Sequence, residues 1–279
     1  MFLSVRFKGG LGNQLFQYAT ARSICVKSKI SFLYFDVSEY RNESLARKFA
    51  LANYRIKGKV FSTLFFKKIF TSLTKLNKLF ASFGLHSTIK ENSFCIQKIE
   101  AEKKIFLSLE GFWQSEYYFE NIRELLLKEL QPISCPDFPQ WIKNDTTIAV
   151  HVRRTDYLNE KRYGFIGLDY YNKAMNYFRE KLEGSLFIIF SDDVKWCKEY
   201  LIGSDVLYLQ EKDWATDYLE LYLMSKCKHQ IIANSSFSWW GAWLNENKHK
   251  MVVRPQKPFI DETLLYESHY PEEWITIQN

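Results

Sequence analysis

The stretch TIAVHVRRTD at residues 147–156 decides the fold of this protein. Its first part is apolar or β-branched apart from one histidine, and it predicts a β-strand that ends where the two arginines begin. More strand patterns follow, separated by helical patterns, at 186–190, 206–209, 230–233 and 251–253. Strands and helices that alternate in this way predict an α/β fold, in which helices cover both faces of a parallel sheet.

The N-terminal part of the chain begins with the same kind of pattern. A strand at residues 2–7 runs into the loop GGLGNQ at 9–14, and a helical pattern extends from about 15 to 27. Further patterns predict strands at 31–35 and 105–109 and a helix near 116–130.

A proline-rich stretch at 131–139 holds half of the 6 prolines of the chain. Prolines in such a cluster interrupt regular structure and are typical of a domain boundary. The sequence therefore predicts an N-terminal domain at 1–140 and a C-terminal domain at 141–279.

Composition excludes several classes of protein. Of the 279 residues 47% are hydrophobic and 17% aromatic, which excludes a disordered chain. The 5 cysteines show no Cys-x-x-Cys spacing, so we expect neither a zinc ribbon nor a disulfide framework. No signal peptide and no long apolar span are recognisable, and we expect a cytoplasmic protein.

Residues 44–90 form a basic segment that contains no Asp or Glu. Within it, apolar residues recur at helical spacing over 55–80 with lysines between them, which predicts a basic amphipathic helix. Two interpretations are open. Either this helix makes a peripheral contact with an anionic membrane at its inner face, or it faces the protein core and its lysines are solvated.

Ligands of parallel α/β sheets bind beyond the carboxyl ends of the strands, so the residues that follow each strand are the candidate site. After the strand at 147–152 come Arg153 and Arg154, whose guanidinium groups suit phosphate oxygens. His151 lies two residues before Arg153, on the same side of an extended chain, so we expect it to contact the same ligand.

Asp192 and Asp193 follow the strand at 186–190. We expect one of them to cap the next helix and the other to face a ligand. The two are adjacent, whereas the aspartates of metal-dependent sugar transferases are typically separated by one residue, so no metal is expected.

The stretch NSSFS at 234–238 leaves a strand and enters a helix, so its side chains and the first helix amides could hold a diphosphate. The residues that we assign to this role are Asn234, Ser235, Ser236 and Ser238. Trp239, Trp240 and Trp243 are expected to pack in the core.

The loop GGLGNQ lacks the glycine spacing of a dinucleotide-binding fingerprint. Gly10 and Gly12 allow a ligand to approach the backbone closely, and the side-chain amides of Asn13 and Gln14 suit sugar hydroxyls. Turn geometry alone is the other explanation for the glycines.

Four motifs together resemble the α-1,2-fucosyltransferases of glycosyltransferase family 11, in its bacterial branch. They occur in family order at 10–19, 151–156, 191–193 and 234–242, and the basic segment is not among them. The resemblance implies a GT-B fold, with two Rossmann-like domains and a cleft between them. It also implies that the C-terminal domain holds the nucleotide sugar and the N-terminal domain lies on the acceptor side.

The reaction implied is inverting, metal-independent transfer of L-fucose from GDP-fucose to the 2-hydroxyl of a terminal galactose. The acceptor would be an oligosaccharide or a lipid-linked glycan of surface polysaccharide biosynthesis, and no cofactor is implied. By similarity Arg153 clasps the β-phosphate and the serines contact the diphosphate. His151 and one of Asp192 and Asp193 would contact guanine.

Charge develops on the diphosphate as the sugar departs, and without a metal ion a fixed guanidinium must stabilise it. Arg153 is therefore the first catalytic candidate. Asp156 or His151 could accept the proton of the acceptor hydroxyl, or the leaving diphosphate could accept it without a protein base.

Other classes of function remain as alternatives. A GT-B transferase for another nucleotide sugar would use the same phosphate contacts. A nucleic-acid-binding protein is suggested by the pI of 8.9, but the phenylalanines of the basic segment follow a helical pattern and no nucleic-acid motif is present. A carbohydrate-binding protein without activity is disfavoured by the set formed by Arg153, Asp156 and the serines.

Overall fold

The computed structural model describes residues 1–41, 48–60, 85–91, 96–99, 104–209, 212–261 and 269–279. Most of the basic amphipathic helix predicted at 55–80 lies outside these residues. The chain divides into two compact units, Met1–Gln131 and Pro132–Asn279, at the beginning of the proline-rich stretch. In the described part of the chain, no helix is both long and apolar enough to span a membrane.

The N-terminal unit contains a parallel sheet. Its strands are β1 (Phe2–Arg6), β2 (Phe32–Asp36), β3 (Lys59–Val60), β4 (His86–Lys90) and β5 (Phe106–Glu110). They lie in the order β3-β2-β1-β5-β4. Helix α1 (Leu11–Lys27) follows β1, and helix α2 (Arg123–Glu129) comes after β5. Short 3-10 turns lie at Ser38–Arg41, Leu51–Asn53, Glu116–Tyr118 and Glu120–Ile122.

Within the described residues of this unit, both helices differ from the prediction. Helix α1 begins at Leu11 rather than near residue 15, because Gly10 already serves as its cap residue. The helix predicted near 116–130 is divided into two 3-10 turns and α2. The interruption occurs at Phe119, whose ring is fully buried and whose φ of −148° lies outside the helical region.

The C-terminal unit contains a second parallel sheet, which confirms the predicted fold class. Its strands are β6 (Thr147–Val152), β7 (Leu186–Ser191), β8 (Val206–Tyr208), β9 (His229–Ile231), β10 (Val252–Pro255) and β11 (Ile275–Ile277). They lie in the order β11-β10-β9-β6-β7-β8. Its helices are α3 (Leu168–Lys181), α4 (Val194–Tyr200), α5 (Asp217–Lys226) and α6 (Ser236–Trp243), and 3-10 turns lie at Gln140–Lys143, Asp156–Leu158 and Lys212–Trp214.

Strand β6 is buried along its whole length, and its side chains alternate between two halves of the core. Val150 packs with residues of α3 and α4, whereas Ala149 packs with residues of α5 on the other face of the sheet. Because successive side chains of an extended chain point to opposite faces, His151 and Arg153 point to the α5 face and Arg154 points to the α4 face.

A buried glutamine joins the loops at the carboxyl ends of β1 and β5. Gln17 of α1 is fully buried. Its Oε1 accepts a hydrogen bond from the amide of Lys8 at 3.1 Å, and its Nε2 donates to the carbonyl of Gly111 at 3.1 Å. The side chain therefore satisfies two backbone groups, one of them partly buried and the other buried.

We expect Gln17→Met to lower the free energy of unfolding by about 2–4 kcal/mol, because two backbone groups lose their partners while the volume is kept. Chemical denaturation followed by circular dichroism measures the change. Gln278→Met, at an exposed position, is the control and should leave the midpoint unchanged. Equal stability of the two variants would show that the Gln17 bridge does not stabilise the fold.

Candidate functional site

The C-terminal sheet changes direction beside β6. From β6 the chain forms β7 and β8 on one side, and then crosses to β9 on the other side. Loops that leave adjacent strands in opposite directions open a crevice at the carboxyl edge, where ligands bind. Arg153 follows β6 and Ser235 follows β9, so two of the predicted motifs meet at this point.

Arg153 is held by two carboxylates. Its Nη2 lies 2.7 Å from Oδ2 of Asp156, and its Nη1 lies 3.4 Å from Oδ2 of Asp192. The guanidinium also lies over the ring of Tyr157, 5.8 Å from its centroid. The side chain remains 31% exposed, so the fixed guanidinium can contact a ligand.

Asp192 connects the loop after β6 to the end of β7. Its carboxylate accepts hydrogen bonds from the amides of Arg154 at 2.9 Å and Thr155 at 3.2 Å, and from the Thr155 hydroxyl. The backbone that carries Arg153 is therefore fixed relative to β7.

Asp193 caps helix α4, as one of the two aspartates was predicted to do. Its side chain accepts a hydrogen bond from the amide of Trp196 at 3.1 Å and pairs with Nη1 of Arg154 at 2.6 Å. These bonds hold the pKa of Asp193 below its usual range, the Trp196 amide first and Arg154 next. Arg154 also lies 5.0 Å from the centroid of the Trp196 indole. This pair is occupied in holding α4, on the face opposite to Arg153.

Asn234 uses its amide nitrogen to hold two loops. Its Nδ2 donates to the carbonyls of Tyr163 at 3.1 Å, Gly164 at 2.9 Å and Pro258 at 2.7 Å. The side chain is buried, so its visible role is to join these loops to the end of β9.

The serines of the same motif fall into two groups. Ser235 caps α6 by accepting a hydrogen bond from the amide of Phe237 at 3.3 Å, and Ser235 and Ser236 are both partly exposed. Ser238 is fully buried and donates to the carbonyls of Ala233 and Ser235. Its position on the inner face of α6 turns Ser238 to the sheet, so the structure offers no support for its contact with a diphosphate, which stays a prediction.

The tryptophans of this motif lie in the core, as predicted. Trp239, Trp240 and Trp243 are all buried on α6, and their rings pack against one another. They fix the helix whose first turn carries Ser235 and Ser236.

His151 is a neutral, buried imidazole. It is 5% exposed, its ring centroid lies 5.4 Å from that of Phe237, and its Nδ1 is buried without a hydrogen-bond partner in the described part of the chain. Burial lowers the pKa of His151 to about 3, and Arg153 adds to the effect while Asp192 opposes it. The ring can form hydrogen bonds with a ligand, but it is a weak base at neutral pH.

Glu220 interacts electrostatically with Asp192 and Arg153 of the site, although no sequence motif pointed to it. It lies in the first turn of α5 and is partly buried. Its pKa is raised to about 7, first by desolvation and then by repulsion from Asp217 and Asp192, while Arg153 acts in the opposite direction. The first turn of a helix that follows a parallel strand lies at the carboxyl edge, and this was the signal that could have identified Glu220.

The N-terminal motif forms a rigid loop before α1. Gly9 has a φ of +81°, Gly10 is the cap residue of α1, and Gly12 lies in its first turn. Gln114 follows β5 and was not selected from the sequence, but its Nε2 donates a hydrogen bond to Oδ1 of Asn13 at 2.7 Å.

Gln14, predicted to contact sugar hydroxyls, is bonded to the backbone in this structure. It is fully buried, and its Nε2 donates to the carbonyls of Gly9 at 3.2 Å and Lys48 at 2.9 Å. Its Oε1 accepts from the amide of Ala50 at 2.9 Å. The α-helical period places Gln14 on the inner face of α1, where its amide is used entirely by the backbone.

Among the residues that the structure describes, no group of three or more His, Cys, Asp or Glu side chains could hold a metal ion. The expectation of a metal-independent reaction stays a prediction.

Comparisons with known proteins agree with the four motifs. A family model described as glycosyl transferase family 11 matches residues 2–278. The chain is 33% identical to alpha-1,2-colitosyltransferase of Escherichia coli, over 98% of each chain. It is 30% identical to human galactoside alpha-(1,2)-fucosyltransferase 1, over 62% of this chain and 53% of that protein.

One solved structure has a similar fold. A mutant of Arabidopsis thaliana FUT1 in complex with GDP aligns over 98% of this chain and 76% of that chain, with a TM-score of 0.51 and 11% identity. Two α/β units, each with a parallel sheet, form the GT-B architecture that the resemblance implied. The chain belongs to glycosyl transferase family 11.

Proposed function

We propose that this protein transfers L-fucose from GDP-fucose to the 2-hydroxyl of a terminal galactose, with inversion and without a divalent metal. The observation that carries the proposal is the guanidinium of Arg153, fixed between Asp156 and Asp192 where the sheet changes direction. The partly exposed Ser235 and Ser236 begin the helix that follows the neighbouring strand.

The chemistry of the leaving group supports this arrangement. As the bond between sugar and diphosphate breaks, negative charge grows on the β-phosphate and must be stabilised by donors that are already in place. A planar guanidinium can bind two phosphate oxygens at once. The amides at the start of α6 add the partial positive charge of a helix N-terminus.

The linkage and the acceptor are supported by the relatives. The names of the two relatives both specify an α-1,2 linkage, and that of the human protein specifies a galactoside. The structure of the FUT1 mutant, which has a similar fold, was solved in complex with GDP. These observations favour a guanine nucleotide and a galactose-ended glycan.

A second donor is favoured by one observation. The relative that matches 98% of this chain is a colitosyltransferase, and colitose is fucose without its 3-hydroxyl. Turnover of GDP-fucose against GDP-colitose, with lactose, N-acetyllactosamine and a Gal-β-1,3-N-acetyl sugar as acceptors, decides between the donors.

Titration of GDP, UDP and ADP against thermal unfolding tests the nucleotide, because a ligand of the folded state raises the midpoint. A rise with UDP or ADP but not with GDP would overturn the proposal.

The acceptor hydroxyl must lose its proton as the new bond forms. We propose that Glu220 accepts it, because Glu220 lies in the first turn of α5 at the carboxyl edge of the sheet, and an efficient general base has a pKa near the working pH. His151, with a pKa of about 3, is too weak a base for this role. The carboxylate of Asp156 is already occupied by Arg153.

We expect Arg153→Lys to lower kcat by at least about 100-fold and to weaken GDP binding, because an ammonium cannot bind two oxygens in a fork. Steady-state kinetics and calorimetry with GDP measure the two effects. Arg179→Lys is the matched control, since Arg179 makes a bidentate pair with Asp205 at the opposite edge of the sheet. Turnover of Arg153→Lys within about threefold of wild type would remove Arg153 from its role.

We expect kcat/KM to rise with pH and to level off above about 7, because Glu220 must be ionised to accept a proton. Glu220→Gln should lower the rate and abolish this rise. A Glu220→Gln variant that keeps the pH profile of the wild type would show that another group, or the leaving diphosphate, accepts the proton.

The same carboxyl group predicts a change of stability that needs no assay of activity. A pKa of about 7 in the folded state, above the ordinary 4.5, means that the folded protein favours protonated Glu220. The stability that this proton contributes is fully present below pH 4.5 and is lost as the pH rises through 7. Glu220→Gln should therefore raise the free energy of unfolding at pH 8, by about 1 kcal/mol after allowance for partial exposure. Little change is expected at pH 5. Urea denaturation at both pH values measures the difference, and an equal effect at both would contradict the raised pKa.

A further inference from the structure

The N-terminal sheet also changes direction, between β1 and β5. From β1 the chain forms β2 and β3 on one side, whereas β4 and β5 lie on the other. A crevice is expected at the carboxyl ends of β1 and β5 for the same reason as in the C-terminal unit. The loops at these ends are residues 7–10 and 111–114.

The loop after β5 contains a strained residue. Trp113 has a φ of +59° although its side chain is bulky and fully buried. Such a conformation costs about 1–3 kcal/mol and persists only where the surroundings enforce it. Gly111 is required beside it, because a Cβ there would lie 2.5 Å from Cβ of Glu91 and 2.8 Å from the indole nitrogen of Trp113.

Glu91 enforces this turn. Its Oε2 accepts a hydrogen bond from the amide of Phe112 at 2.6 Å, and its Oε1 accepts from the amide of Trp113 at 2.9 Å. Gln17 holds the carbonyl of Gly111 from the other side. Three consecutive residues are thus fixed before Gln114.

The result is a pair of side-chain amides at the edge of the sheet. Nε2 of Gln114 donates to Oδ1 of Asn13 at 2.7 Å, and both side chains are partly exposed. Gly9 allows this approach, since a Cβ on it would lie 2.5 Å from Nδ2 of Asn13. The pair leaves the side-chain oxygen Oε1 of Gln114 as an acceptor and the side-chain Nδ2 of Asn13 as a donor, which suits neighbouring hydroxyls of a sugar.

The loop that carries Gln114 also carries an aromatic ring, two residues earlier. Phe112 is partly exposed, and the ammonium of Lys8 lies 4.1 Å from its ring centroid. Sugar sites commonly combine an apolar face with a few placed polar groups. The amides of Asn13 and Gln114 carry no charge, whereas the site around Arg153 is built for an anion.

We propose that Asn13 and Gln114 form a subsite for the hydroxyls of the acceptor galactoside, and that Glu91 is the positioning residue that holds Gln114 in place. The identity of the sugar as the acceptor rests on the proposed function. The amide pair itself rests only on the geometry of the N-terminal unit.

Kinetics of Asn13→Ala, Gln114→Ala and the double variant test the subsite. Each single change should raise the KM for lactose at least 10-fold and leave the Kd for GDP unchanged. The KM for lactose in the double variant should rise by less than the product of the two single increases, because the side chains act as one hydrogen-bonded pair. Asn121→Ala, an exposed amide near the far end of α1, is the matched control and should change neither constant.

Glu91 is tested by a comparison of two substitutions. Glu91→Ala should raise the KM for lactose as Gln114→Ala does, and Glu91→Gln, which keeps one acceptor oxygen for the turn, should recover part of the loss. A purely structural role would lower the unfolding midpoint in both variants without raising the KM, and this result would overturn the positioning role.

Two kinetic outcomes would overturn the subsite. The first is an unchanged KM for lactose in Gln114→Ala. The second is a raised KM for the donor with an unchanged KM for lactose, which would assign the pair to the donor sugar. Saturation-transfer NMR with methyl β-galactoside measures binding without turnover, so it tests the subsite even if wild type transfers no fucose. A signal in wild type that persists in Gln114→Ala would also refute the assignment.

Discussion

A parallel sheet that is covered on both faces can reach a ligand only at the ends of its strands, and the site of this protein follows from that constraint. Strand β6 has no exposed residue, so its chemistry is confined to the residues that leave its carboxyl end. The alternation of side chains then separates the functions of two adjacent arginines. Arg153 points to the crevice, and Arg154 packs with Trp196 on the other face.

Several carboxylates at the strand ends hold the backbone of the loops rather than a ligand. Asp192, Asp193 and Glu91 each accept hydrogen bonds from main-chain amides, and they fix the loops on which Arg153 and Gln114 depend. Residue types at strand ends therefore identify the site well but do not distinguish the ligand-binding groups from those that hold the loop. Geometry makes that distinction.

The sequence was sufficient for the strand pattern and one capping aspartate, because periodicity and position carry these features. It was insufficient to predict that the side chains of Ser238 and Gln14 are buried. Each is a polar residue on the inner face of a helix whose first turn borders the loop. Polar residues are normally expected at the surface, but backbone carbonyls accept hydrogen bonds from these two side chains and so allow their burial. Glu220 was missed because it belongs to no strand-end motif, and its raised pKa comes first from desolvation, which a sequence pattern does not show.

Helix α6 joins the candidate phosphate-binding turn to the centre of the core. Its cap, Ser235, lies at the crevice, whereas Trp239 and Trp240 are buried a turn later. Gly241 lies so close to Met224 of α5 that any added Cβ would overlap the sulfur. Local opening of this helix would expose the tryptophans, so it costs nearly as much as unfolding the whole unit. The candidate phosphate-binding turn is therefore expected to exchange its amide hydrogens as slowly as the core of the C-terminal unit.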